Sequence, residues 1–168
     1  MLRDRACFRG EVDKYTWQEV GSSFLPGELF AAFLSAQLEE ADAITRQRLA
    51  NWDRYHAMLE PFERKGMLRR PIVPADCVHN GHMYYVLLQA GLDRQRLLDE
   101  LKRNDINSVF HYVPLHSSPA GRRYGRTHGD SLAMTDIQSE RLVRLPLWVG
   151  LTEDMQNRVV AAIEAFAS

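Results

Sequence analysis

The stretch "ELFAAFLSAQLEEADAITRQRLANWDRYHAMLE" (residues 28–60) decides the fold, because it reads as one long helix. Pro26 and Gly27 punctuate its start, Glu28 sits in the first turn, and no proline follows until Pro61. The first half is apolar on more than one side, which predicts burial against two surfaces. The second half narrows to a stripe of Leu49, Trp52, Tyr55 or His56, and Leu59. A helix of about 33 residues is about 50 Å long, more than the width of a small domain, so it is expected to bridge two bodies.

Beyond it the pattern shortens. "MLRRPIV" (67–73) and "HMYYVLLQ" (82–89) read as strands, joined by the turn-rich "PADCVHNG". "DRQRLLDELKRND" (93–105) is an amphipathic helix with Leu97, Leu98 and Leu101 on one side. "INSVFHYVPL" (106–115) returns as a strand rich in β-branched and aromatic residues. "HSSPAGRRYGRTHGDSLAM" (116–134) is a polar loop too long to be mere connection, and so a candidate functional loop. "TDIQSERLVR" (135–144) reads as a helix capped by Thr135, "LPLWVG" as a turn, and "TEDMQNRVVAAIEAFA" (152–167) as a closing helix capped by Thr152. The order predicts an α+β sandwich, a small, mainly antiparallel sheet covered by helices. Residues 1–27 show neither helical nor strand period yet carry Phe8, Val12, Tyr15 and Trp17, so they form an irregular arm, and residues 28–168 form the domain proper.

Composition bounds the function more than it defines it. The chain has 168 residues and a formal net charge of −1, which gives no electrostatic argument for nucleic acid or an anionic membrane. No run approaches the ~18 apolar residues of a membrane span, and no signal peptide is visible. Cys7 and Cys77 make no disulfide framework. These features predict a soluble cytoplasmic protein.

Four groups of residues carry candidate chemistry. Lys14, Lys65 and Lys102 are the three lysines. Asp13 beside Lys14 stabilises the ammonium form, and Lys65 and Lys102 sit at helix ends, so none has the setting of an activated amine. Cys77, His79 and His82 resemble half of a metal site with no second half, and no metal is expected. In "FHYVPLH" a strand would place Phe110, Tyr112 and Pro114 on one face and His111 and Val113 on the other, with His116 opening the loop. That arrangement suits a polar ring-shaped ligand such as a sugar, and it equally suits a plain core strand ending at a proline. "GSSF" (21–24) before a helix is either an anion site or a cap alone.

Several separate stretches, in order, resemble sugar aminotransferases of the DegT/DnrJ/StrS type. They are "YTWQEVGSSFLPGELFAAFLSAQLEEAD", "HMYYVLL", "VFHYVPLHSSPAGRRYG" and "SERLVRLPLWVGLT". The resemblance covers the chain from about Phe8 to Phe166 and implies the small C-terminal domain of a fold type I pyridoxal 5′-phosphate (PLP) enzyme. It implies that the Schiff-base lysine and most of the cofactor site belong to a large N-terminal domain that no residue here matches, so this piece alone is expected to be inactive. It further implies a homodimer, with glutamate as amino donor and a dTDP-4-keto-sugar as acceptor. The arm would reach the partner's site, with Gly21, Ser22 and Ser23 toward the PLP phosphate. Ser23 stands where many relatives carry asparagine. By the same resemblance Lys14, Tyr15, Trp17, His111, Tyr112 and His116 are substrate-side candidates. The competing expectations are a non-catalytic binding or dimerisation module of the same shape and, more remotely, a metal-binding protein.

Overall fold

The computed structural model describes residues 26–129 and 132–167, so the arm with Lys14, Tyr15, Trp17, Gly21, Ser22 and Ser23 lies outside the described residues. The chain divides after Asp42 into two compact units.

Helix α1 (Glu28–Glu39) is the described helix of the first unit and buries no side chain; Leu29, Phe30, Phe33, Leu34 and Leu38 are all exposed. The single helix expected over 28–60 is two, because the path turns at Glu40 before α2 (Ala41–Arg64) begins. Glu39 and Glu40 crowd carboxylates at the negative end of α1, while Asp42 lies in the favourable first turn of α2. Helix α2 also runs on through Pro61. The proline leaves the Ala57 carbonyl without its helical donor. On the neighbouring carbonyl, that of His56, Arg70 Nη1 donates a hydrogen bond from outside the helix. At its end the Gly66 N–H bonds the Glu63 carbonyl and the Met67 N–H bonds that of Phe62. Gly66 takes φ 72°, so the αL position this double cap requires falls on glycine.

The second unit is built on a four-stranded antiparallel sheet of order β1-β2-β4-β3: β1 (Leu68–Arg69), β2 (Tyr84–Leu88), β3 (Val109–Phe110) and β4 (Leu142–Leu145). Two expected strands shrink to two residues each. Pro71 follows β1 closely and cannot donate to a ladder, and after Phe110 the chain leaves the sheet, so alternation no longer governs His111 to Pro114. The larger correction concerns residues 142–145. The helix read there, α5, spans Ala133–Arg141 and ends where β4 begins; its N-cap is Leu132 rather than Thr135. "LVRL" then alternates half-buried and buried positions as a strand between neighbours.

Register explains the core. Tyr84 pairs with Leu145 and Val86 with Val143, which turns all four toward one face. There they meet Trp52, Tyr55, Leu59 and Phe62 of α2, Leu97 and Leu101 of α3 (Arg94–Arg103), and Val159, Ile163 and Phe166 of the last helix, α6 (Glu153–Ala167). Leu87, also buried, points to the opposite face, where α5 lies against β2. Asp93 caps α3 by accepting from the Gln95 and Arg96 amides, and Thr152 Oγ1 accepts from the Met155 amide 3.3 Å away at the start of α6.

A polar pin joins α2 to α6. Gln156, fully buried, donates from Nε2 to the Asn51 carbonyl at 2.8 Å and accepts from Arg54 Nη1 at 2.8 Å. Asn51 Nδ2 donates in turn to the Trp148 carbonyl at 3.1 Å. Each buried amide is thereby satisfied. Gln156→Met keeps the volume but deletes both bonds, and it is expected to lower unfolding free energy by about 1–3 kcal/mol. Urea denaturation checks this; an unchanged midpoint would show that the pin contributes nothing.

Candidate functional site

Two clusters of titratable side chains stand out, and only one is open to a ligand. The closed one lies between α2 and β2. Trp52 stacks on His56 with ring centroids 4.7 Å apart and 13° between planes, and it also contacts His79 and Tyr84. Tyr84 Oη sits 3.4 Å from His56 Nδ1. Arg70 clamps the edge: its amide and Nε donate to the two oxygens of Glu63 at 2.7 and 2.6 Å. The Cys77, His79 and His82 trio does not converge. His79 is committed to Trp52, His82 Nδ1 lies 2.9 Å from Asn80 Oδ1, and Cys77 is exposed. Among the described residues no group of three or more His, Cys, Asp or Glu is placed to hold a metal ion.

The open cluster lies in the polar loop. The segment is not structureless: Leu115–Ser117 makes one 3₁₀ turn and Pro119–Tyr124 a short helix, α4. Ser118 ties them together, its hydroxyl donating to the Leu115 carbonyl at 2.7 Å and accepting from the Gly121 amide at 3.0 Å. The two pieces approach so closely at Gly121 that a Cβ there would lie 1.6 Å from the Leu115 carbonyl oxygen. Only glycine fits.

Under α4 opens a cavity of about 870 Å³ lined by His116, Arg122, Arg126, Thr127, His128 and Asp136, among others. His116 Nε2 stands 2.9 Å from Asp136 Oδ1, close enough for an ion pair when the ring is protonated, although off the hydrogen-bonding line. A second cavity of about 500 Å³ adjoins it, sharing Ser117, Arg122 and Asp136 and adding Arg94, Phe110 and Tyr112. The fold thus brings Tyr112 and His116 to neighbouring hollows. His111 lines neither; its ring packs on Tyr112 at 5.3 Å and its Nδ1 is buried without a hydrogen-bond partner. Arg122, Arg126 and Asp136 were not singled out by residue type. The signal for the two arginines was local charge: residues 116–128 hold three arginines and two histidines without one acidic residue.

The model of the DegT/DnrJ/EryC1/StrS aminotransferase family matches residues 1–164. The chain belongs to this family. Aminotransferases of the family are PLP-dependent. An uncharacterized protein of Methanocaldococcus jannaschii is 27% identical over 154 residues, which are 89% of this chain and 39% of that protein. Among solved structures, DesV of S. venezuelae, in complex with a ketimine intermediate, has a TM-score of 0.79 at 24% identity, covering 99% of this chain and 44% of DesV. The aminotransferase TlmJ from Streptoalloteichus hindustanus has a TM-score of 0.76 at 21% identity, over 97% and 45%. These likenesses give the shared fold, that of a domain of a PLP-dependent aminotransferase. The chain spans less than half the length of these relatives.

The closed cluster makes stability depend on pH. Burial disfavours the His56 imidazolium and the Arg70 charge adds to that, so its pKa lies below the ordinary histidine value even though Glu63, Asp53 and Glu60 pull the other way. For Glu63, burial alone would raise the carboxyl, but the hydrogen bonds and charge of Arg70, helped by His56, hold it below the ordinary range. In both cases the unfolded chain takes the proton more readily, so acid favours unfolding. The His56 cost enters as pH falls through the unfolded histidine value and is complete below its depressed folded value. The Glu63 contribution is present above the unfolded carboxylate value and is lost as pH falls through the folded one. Urea midpoints measured from neutral pH downward should therefore drop in two stages, with Glu63→Gln removing the more acidic stage. A variant as acid-sensitive as wild type in that stage would exclude the assignment. Gly121→Ala, by contrast, should speed proteolysis between residues 115 and 129 while leaving the core melting transition in place. Equal cleavage rates would show that the turn tolerates the methyl group.

Proposed function

We propose that this chain is the C-terminal domain of a PLP-dependent nucleotide-sugar aminotransferase, closest to dTDP-4-amino-4,6-dideoxygalactose transaminase. The parent moves an amino group from glutamate to a dTDP-4-keto-6-deoxyhexose, in the synthesis of a surface polysaccharide or lipopolysaccharide. The observation that carries this reading is the family match over residues 1–164. Solved relatives of the same fold support the sugar class: one is named for its part in pseudoaminic acid biosynthesis, others as sugar aminotransferases.

On this reading the imine-forming lysine that PLP chemistry needs belongs to another part of the parent. The exposure of Lys65 and Lys102 supports that reading. When bound, PLP supplies the electron sink for amino transfer. The residues of this chain bind and position instead. Residues 1–27 are the arm, from which Gly21, Ser22 and Ser23 face the PLP phosphate of a partner subunit and Lys14, Tyr15 and Trp17 face its substrate. His116 and Tyr112 face the sugar from the two adjoining hollows. His111 acts through Tyr112, whose ring it packs against. The parent works as a homodimer, and this piece alone is inactive.

Mixed with PLP, the chain should show no internal-aldimine absorbance and no borohydride-trapped adduct on a single lysine. A stoichiometric adduct on Lys14, Lys65 or Lys102 would overturn the assignment of the lysine to another part of the parent.

A further inference from the structure

We propose that a hollow of about 360 Å³ at the end of α3 binds a free α-amino acid with an apolar side chain, its carboxylate on Arg158 and its ammonium on Asp105. The hollow shares no lining residue with the two loop cavities, and the proposal does not depend on the amino-transfer reading of the parent.

Asp105 breaks two local rules. Helix α3 ends in a double cap, in which the Asp105 N–H bonds the Lys102 carbonyl at 3.0 Å and the Ile106 N–H bonds that of Leu101 at 2.9 Å. This cap needs a left-handed residue, for which glycine is the ordinary choice. Asp105 takes φ 58°, and among the described residues it is the one non-glycine with a positive φ; glycines fill the other such positions. The negative end of the helix also disfavours a carboxylate there. Lys102, in the same turn, lines a neighbouring hollow and not this one. The chain thus keeps a carboxylate where both the backbone and the helix dipole oppose it, a departure of the kind that ligand sites show.

The surroundings select the ligand. Arg158 Nη2 donates to the Asn104 carbonyl at 3.0 Å, which holds its guanidinium at the residue preceding Asp105. An α-amino acid carries its carboxylate and ammonium on a single carbon, so its receptor needs opposite charges close together. Asp105 and Arg158 are the two charged residues lining the hollow, one of each sign. The rest of the wall is mainly apolar: Ile106, Leu151 and Val159 are buried, while Trp148 and Met155 form a partly exposed rim. A charged side chain would lose its hydration against that wall without gaining a partner, whereas one of leucine or phenylalanine size fits the space. The rim is built: the Trp148 carbonyl accepts from Asn51 Nδ2 at 3.1 Å and from the Leu151 amide at 3.3 Å.

The test is a titration of the chain with L-leucine, followed by the NMR signals of the Trp148 indole and the Ile106 methyl groups. Saturable shifts are expected. Leucinamide, which lacks the carboxylate, and isocaproate, which lacks the ammonium, should each bind roughly tenfold more weakly, the loss of one charge-assisted pair. Arg158→Gln should impose the same loss on L-leucine. Asp105→Gly should also weaken binding about tenfold while its thermal midpoint equals or exceeds that of the wild type, because glycine suits the left-handed cap. L-Glutamate should not displace L-leucine. Absence of saturable shifts overturns the site, and so does leucinamide or L-glutamate binding as tightly as L-leucine. An Asp105→Gly chain that binds normally, or that melts at a lower temperature, overturns the role of this carboxylate as a ligand group.

Discussion

The second unit depends on the pairing of β2 with β4. Each is the only strand that links its outer neighbour to the rest of the sheet: β1 holds to β2, and β3 to β4. Remove that ladder and the sheet falls into a two-stranded ribbon and a loose pair, neither stable alone in water. The register also orients the core. Because side chains alternate, a slip of one residue would turn Val143 and Leu145 away from Tyr84 and Val86 and expose them. The helices cannot choose their faces independently of this ladder, since Leu97, Leu101 and Ile163 fill the space it defines.

Hydrophobic burial alone would leave that packing free to slide, and the polar contacts remove the freedom. Gln156 and Asn51 set the position of α6 along α2, while Arg141 Nε, at the end of α5, donates to the Leu88 carbonyl at 2.6 Å and fixes where the helix gives way to β4. Arg70 performs the same task at the other edge by tying the end of β1 to Glu63 and to the His56 carbonyl. Such bonds are directional, and an unmade one in a buried place costs about 1–3 kcal/mol, so they select one arrangement among several of similar apolar area.

Much of this was legible in the residues. The stripe of Trp52, Tyr55 and Leu59, the cap at Thr152 and the apolar run of β2 each follow a local rule, and the structure obeys them. β4 was hidden because its four residues follow a helix with no glycine or proline between, so a 3.6-residue period could be extended over them. What makes "LVRL" a strand is its pair of neighbours, which are distant in the chain and absent from any local pattern. The break at Glu40 escaped for the opposite reason. Propensity differences among good helix formers are small, and nothing as strong as proline marks the turn. At the site, residue type drew attention to the aromatic and imidazole groups, whereas Arg122 and Arg126 blend into a chain where arginine is the common cation.

That last contrast bears on what the domain can do. Eighteen arginines against three lysines is a composition suited to holding, because a guanidinium keeps its charge at any ordinary pH and offers fixed donor geometry. Within the second unit arginine therefore has two uses. Where it meets carbonyls and carboxylates, as at Arg54, Arg70 and Arg141, it fastens elements. On the loop carried by the sheet, at Arg122 and Arg126, it stands open beside His116. The close approach at Gly121 fixes the backbone from which Arg122 projects, as the fastened arginines fix the elements around the core.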